Sequence, residues 1–213
     1  MLKKILFRIK IWQHDKKFRK SNRQSHITFV SQNCVGGVLY RMLGIPFSSP
    51  TINMFIEDEN FVKLAENPAH YFSTDAEPYE ECHREEGETP LEYPVIKVDD
   101  ILLCCQHYKN CGEAVEAWNR RRKRVNLDNI FVISCSWDLH ERPDLIKRVA
   151  ECKYPKVIFT LDEYEYDSCV RLDGTKWTRD DNGKVKPALT SYDGNTAKRH
   201  FEDVFDFVEW INR

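Results

Sequence analysis

Apolar and polar positions alternate along this chain in short bursts, with longer helical stripes between them. The first burst, Ile27-Thr28-Phe29-Val30, leads into the polar turn Ser31-Gln32-Asn33-Cys34, a glycine pair at Gly36-Gly37 and an apolar run closed by Gly44. That order predicts a β-turn-α unit whose turn stands at the carboxyl end of a strand. Asn129 to Cys135 and Lys156 to Thr160 are apolar runs of strand length, as expected of strands buried on both faces. Between them a helix is predicted from Pro143, a favoured first-turn residue, to Cys152, so the two strands lie parallel across a crossover.

The rest of the pattern fills in around this frame. Thr51 to Ile56 alternates like a short strand, and a helix over Asn60 to Ala65, capped by Glu57 or Asp58, ends before Pro68. Asp75 to Glu92 is Glu-rich and predicts a surface excursion, after which Tyr93 to Gln106 resumes β character around an Asp99-Asp100 turn. A helix is predicted over Glu113 to Arg124, a polar hairpin or loop over Asp173 to Lys186, and a last helix from Asn195 or Thr196. Phe201, Val204, Phe205 and Val208 give that last helix a stripe to dock on the sheet. The expected fold class is α/β: a three-layer domain with a mainly parallel sheet and helices on both faces, preceded by a basic amphipathic N-terminal helix.

Composition narrows the class. A chain of 213 residues suits one domain, and 41% hydrophobic residues supply a substantial core. A net charge of −2 gives no general footprint for nucleic acid, so none is expected as a partner. Neither a membrane-spanning apolar run nor a signal-peptide order is present, so the eight cysteines are expected to be reduced thiols of a cytoplasmic protein. Residues 1–24 break the charge balance. Lys3, Lys4, Arg8, Lys10, Lys16, Lys17, Arg19, Lys20 and Arg23 face a single acid, Asp15, while Leu2, Ile5, Leu6, Ile9 and Trp12 fall near helical spacing. Such a helix either lies on an anionic membrane surface or packs, solvated, on its own domain. Residues 25–213 form the single α/β domain.

Candidate chemistry collects where the strands end, the usual place for ligands in an open α/β sheet. Ser31, Asn33 and Cys34, with Gly36 and Gly37 allowing close backbone approach, form one group, and Ser134, Asp138, Thr160 and Asp162 are expected at the same rim. Ser49, Thr51 and Asn53 would line one face of a strand as sugar or phosphate contacts, or serve as turn chemistry. Arg121 and Arg124, in a run of five cations, are candidates to clamp a diphosphate or carboxylate. Cys34 and His107 suggest a nucleophile and base, with Asn33 or backbone N–H groups serving an oxyanion. At a helix N-terminus the Cys34 thiolate is expected to be favoured, with a depressed pKa. Asp162, with Glu163 and Glu165, suggests carboxylate chemistry after a buried strand, or simply a strand entering solvent. Cys104, Cys105, His107 and Cys111 fit no familiar zinc spacing, so no metal is assigned, and no cofactor is indicated. The G-x-S-x-G, P-loop, G-x-G-x-x-G and H-E-x-x-H patterns are absent.

Several stretches in order resemble one bacterial family. They are Ser31-Gln32-Asn33-Cys34-Val35-Gly36-Gly37, Ser49-Pro50-Thr51-Ile52-Asn53, Tyr108 with Trp118 to Asn126, Asp128 to Ile133, and Val157-Ile158-Phe159-Thr160. The family is a domain of unknown function whose members are commonly labelled exopolysaccharide biosynthesis protein. The resemblance runs from about Ile27 to the C-terminus, implies a compact three-layer α/β domain, and brings no catalytic residues. It implies a pathway: cell-surface polysaccharide assembly at the cytoplasmic face of the membrane. The function expected is therefore a transferase, glycosyl or acyl, acting on a nucleotide- or lipid-linked sugar of exopolysaccharide or capsule biosynthesis. Its rival is a non-catalytic, membrane-peripheral partner of the assembly machinery.

Overall fold

The computed structural model describes residues 2–85, 91–181 and 183–213. The chain runs α1 (Leu2–Ser21), β1 (Thr28–Ser31), α2 (Val35–Leu43), α3 (Asp58–Glu66), α4 (Pro68–Ser73), β2 (Glu77–Glu85), β3 (Leu91–Val98), β4 (Ile101–Cys104) and α5 (Cys111–Arg121). It continues through β5 (Ile130–Cys135), α6 (Pro143–Glu151), β6 (Lys156–Thr160), β7 (Cys169–Arg171), the β8 (Thr178–Arg179) and β9 (Val185–Lys186) hairpin, and α7 (Phe207–Ile211). Single 3₁₀ turns lie at Arg122–Arg124, Ser136–Leu139 and His200–Asp203.

The main sheet is parallel throughout, but it is not the only sheet. Four strands pair in parallel in the order β1-β5-β6-β7, while β2-β3-β4 form a separate antiparallel sheet and β8-β9 a third. The protein is thus a mixed α/β fold, a parallel four-stranded sheet with antiparallel sheets added to it. The Glu-rich excursion explains the second sheet, because Glu77–Glu85 is strand β2, pairing with β3 and interrupted by bulges. Asp99-Asp100 is the tight turn between β3 and β4, with Asp99 at φ 54°.

Alternation along β1 and β5 sends side chains to two cores. Phe29, Phe131, Ile133 and Phe159 pack with Leu39 and Tyr40 of α2 and with Phe201 and Phe207. Val30, Val132 and Ile158 face the other way, onto Phe61 of α3, Trp118 of α5 and Ile146 of α6. Every residue of β5 is buried, as its unbroken apolar run predicts.

Local polar chemistry overrides periodicity at two places. Thr51 to Met54 forms a turn, not a strand. The Ser49 hydroxyl pairs with that of Thr51 (3.0 Å) and accepts the Thr51 N–H (3.3 Å), which offers the backbone an alternative to a ladder. The last helix starts late because the Asp193 carboxylate accepts the N–H groups of Asn195 and Thr196 and bends the chain there. Asp206 caps Glu209 instead, so the helix is α7, and Phe207 and Ile211 rather than Val208 are its buried residues.

α1 is a basic helix, but its apolar residues do not share one face. Phe7, Ile11, His14 and Phe18, spaced by three and four residues, are partly buried, as is Asp15 beside His14. Phe7 stacks edge-on to Tyr192, His14 Nε2 meets Glu202 Oε2 at 2.9 Å, and Phe18 joins the α2 core. Arg19 donates to the Arg41 and Met42 carbonyls at the end of α2 (3.1 and 3.3 Å), where Gly44 turns the chain at φ 68°. Ile5, Leu6, Ile9 and Trp12 remain exposed. Among the described residues no helix is long and apolar enough to cross a membrane.

Candidate active site

One backbone stitch brings the two sheets together at the ends of their strands. Phe55 exchanges hydrogen bonds with Cys104 at the end of β4 (2.8 and 2.9 Å), and the next residue, Ile56, donates to the Gln32 carbonyl just past β1 (3.0 Å). The turn after β4 therefore meets the turn after β1. His107 stands in the first and Cys34 in the second, with Nε2 and Sγ 3.4 Å apart. Both side chains are exposed to solvent.

Behind Cys34 lies a cavity of about 220 Å³, walled by Val35, Phe55, Trp137, Val185, Ala188 and Leu189, with Asn33, Asp138 and Thr190 as its polar margin. His107 reaches the sulfur from outside this lining. The late loop that carries β8 and β9 supplies one wall, and Arg179 fastens it to Glu141 at 2.5 Å.

Asn33 organises the floor. Its amide Nδ2 donates to Asp138 Oδ2 (2.6 Å) and to Cys135 Sγ (3.3 Å), and its Oδ1 accepts the Val35 N–H (3.1 Å). Gln32, fully buried, ties the same turns: its Nε2 donates to the Asp138 carbonyl (2.8 Å), and its Oε1 accepts from Ser134 (2.7 Å). Burial pushes the Asp138 carboxyl up to about 6, against the opposing pulls of Asn33, His140 and Cys135.

The Cys34 thiol is pushed up, not down, by burial against the cavity walls and then by the Asp138 charge. This overturns the expectation of a depressed pKa at a helix N-terminus, and the hydrogen bonds give the reason. The Val35 N–H is held by Asn33 and the Gly36 N–H by the Ser31 hydroxyl (3.1 Å), so the first amides of α2 point at neighbours rather than at sulfur. Asn33 is no oxyanion donor either, since its amide already serves Asp138 and Cys135.

Ser31 is a turn clamp: its hydroxyl donates to the Asn33 carbonyl (2.9 Å) while accepting from Gly36. The glycine pair splits. A Cβ on Gly36 would lie 2.7 Å from Ser31 Cβ, whereas on Gly37 the nearest atom is 3.5 Å away. Gly36→Ala is therefore expected to cost about 1–3 kcal/mol by overpacking. Gly37→Ala should be neutral or gain up to about 1 kcal/mol from helix propensity. Urea unfolding of the two variants checks this, and equal effects would refute the packing argument.

The other candidates lie elsewhere. Arg121 donates to the Ile52 carbonyl (3.0 Å) and the Tyr108 hydroxyl (2.5 Å) and covers the Phe47 ring, while Arg124 approaches the Phe47 carbonyl at 3.5 Å. With the buried Ser49 and Thr51 and the exposed Asn53, they fasten and form the loop before α3, and none lines the cavity. Asp162 is exposed after β6, two strands from β1 and outside the lining. Thr160 is buried. Cys105 and Cys111 are buried with their thiols on carbonyls, and among the described residues no three His, Cys, Asp or Glu gather to hold a metal ion. Gln32, Phe55 and Trp137 join the site without having been singled out in the sequence. Gln32 sits inside the turn already recognised, and a glutamine flanked by apolar strand residues is the signal that could have marked it.

The fold and site thus define a mixed α/β protein with a thiol–imidazole pair at the carboxyl edge of a parallel sheet. The family model for a domain of unknown function, DUF1919, matches residues 5–212, and the chain belongs to that family. The match includes nearly all of α1, which the resemblance read from Ile27 did not. An uncharacterized protein of Haemophilus influenzae is 29% identical over 196 residues, covering 91% of this chain and 87% of that one.

Proposed function

We propose that the protein is an acyltransferase that works through a Cys34 thioester on a nucleotide- or lipid-linked saccharide of exopolysaccharide or capsule biosynthesis, at the cytoplasmic face of the membrane. The observation that carries this reading is the 3.4 Å contact between Cys34 and His107 beside an apolar cavity. At about 220 Å³ that cavity is smaller than typical pockets for drug-sized ligands, and its walls suit an acyl group better than a nucleotide. The pathway rests on the family resemblance alone.

A thiol with a raised pKa needs a base at the moment of attack. His107 Nε2 takes the Sγ proton as sulfur attacks the carbonyl of an activated acyl thioester or ester. The imidazolium then returns the proton to the leaving group, and the acyl group stays on sulfur. A saccharide hydroxyl attacks next, His107 accepts its proton, and the ester leaves as the thiolate departs and is reprotonated from His107. The test is intact-mass analysis after incubation with acyl-coenzyme A species of two to eight carbons. A single acyl adduct mapping to Cys34, absent in Cys34→Ser, is expected. No adduct on Cys34 with any of these donors would reject the thioester and favour the non-catalytic partner.

A further inference from the structure

We infer that the outward face of α1 is a docking surface for an anionic lipid bilayer. The helix carries two apolar stripes on opposite sides. At about 100° per residue, Phe7, Ile11 and Phe18 fall on one side and Ile5, Ile9 and Trp12 on the other. On the first, Phe7 packs on Tyr192, Phe18 joins the α2 core and Ile11 between them is half-buried. The second lies open: Ile5 is 50%, Leu6 50%, Ile9 45% and Trp12 61% exposed. Leaving four large apolar side chains in water on one helix face is unfavourable, and such patches mark contact surfaces.

Charge selects the occupant. Arg8 borders this stripe on one flank, Lys10 and Lys17 on the other, and Lys16 and Lys20 continue it beyond Trp12. All are exposed, and none meets an acid among the described residues. Lys16 lies over the Trp12 ring, with Nζ 5.2 Å from its centroid. A second copy would bring like charges together across the interface, which disfavours self-association. An anionic bilayer instead takes the apolar stripe into the headgroup region, places Trp12 where tryptophans are enriched, and neutralises the flanking cations. Because Arg19 clamps the far end of α2, the same helix ties the bound surface to the element that begins at Cys34. The inference does not depend on the thioester.

The test is sedimentation of the full chain with phosphatidylglycerol or phosphatidylcholine vesicles. Binding to the anionic vesicles should exceed that to neutral ones at least tenfold and fall in high salt through screening. Lys10→Gln with Lys17→Gln should weaken it roughly twenty-five-fold, at about fivefold per cation. Ile9→Asp and Trp12→Glu should abolish it with little change in melting, since both side chains are exposed. Cys34→Ser should bind vesicles like the wild type, so the lipid and thioester readings fail separately. Equal binding to both lipids, or unaltered binding by Trp12→Glu, overturns the proposal. So does a wild-type dimer that Trp12→Glu converts to a monomer, which would assign the face to a second copy.

Discussion

His107→Gln is expected to slow acyl loading of Cys34 by about 10²–10⁴-fold, the usual contribution of a positioned general base. Cys34→Ser should remove loading entirely. Neither change should move the melting temperature, because both side chains are exposed and the bond between them is solvent-facing. The pH dependence follows from the raised thiol. Iodoacetamide should modify Cys34 at pH 7 more slowly than a free thiol, whose pKa is about 8.5, and the rate should climb with pH beyond that value. A depressed thiol would show the reverse, an early rate advantage near pH 6. Rapid alkylation there would remove the need for His107 and leave its variant with little effect.

How much of this was legible follows from the range of each interaction. The turn after Ser31, strands β5 and β6 and helix α6 rest on local pattern, and the structure has them within a residue or two of the expected bounds, with the glycine pair inside the first turn of α2. Asn33 and Asp138 were placed at one rim because strands joined by a crossover must align their ends, and β1 and β5 are neighbours. Asp162 failed by the same geometry. Its strand is one further across, about 10 Å from β1 at normal strand spacing, too far for a small cavity to include both. The Cys34–His107 contact spans 73 positions and depends on the Phe55–Ile56 stitch, which sequence pattern disguised as a strand of its own. Arg121 and Arg124 were overread because a cation run does not reveal which carbonyls its members reach. The exposed stripe of α1 was visible as composition, but only its docked counterpart, Phe7, Ile11 and Phe18, shows which side is left over.

Asp138→Asn should change stability in a pH-dependent way of about 3 kcal/mol. The carboxyl is buried, with Oδ2 on Asn33, and has its pKa raised to about 6. In the unfolded chain it titrates near 3.9. Below both values the group is protonated in either state and imposes no penalty. Between them the folded state binds the proton that the unfolded state has lost, so stability falls as pH rises. Above about 6 the full penalty stands, roughly 2 pKa units at 1.36 kcal/mol each. Asparagine is neutral throughout and keeps a carbonyl oxygen to accept from Asn33 Nδ2. Relative to the wild type, the variant should therefore gain about 2 kcal/mol between pH 4 and pH 7 in urea unfolding, the rest of the penalty having set in below pH 4, whatever its constant offset from altered packing. The same substitution removes the charge that helps hold the Cys34 thiol up, so alkylation at pH 8 should quicken. A stability difference that stays flat from pH 4 to pH 7 would show that Asp138 titrates as an ordinary carboxylate. With a flat difference and an unchanged alkylation rate, the carboxyl would be a structural partner of Asn33 with no electrical reach to the sulfur.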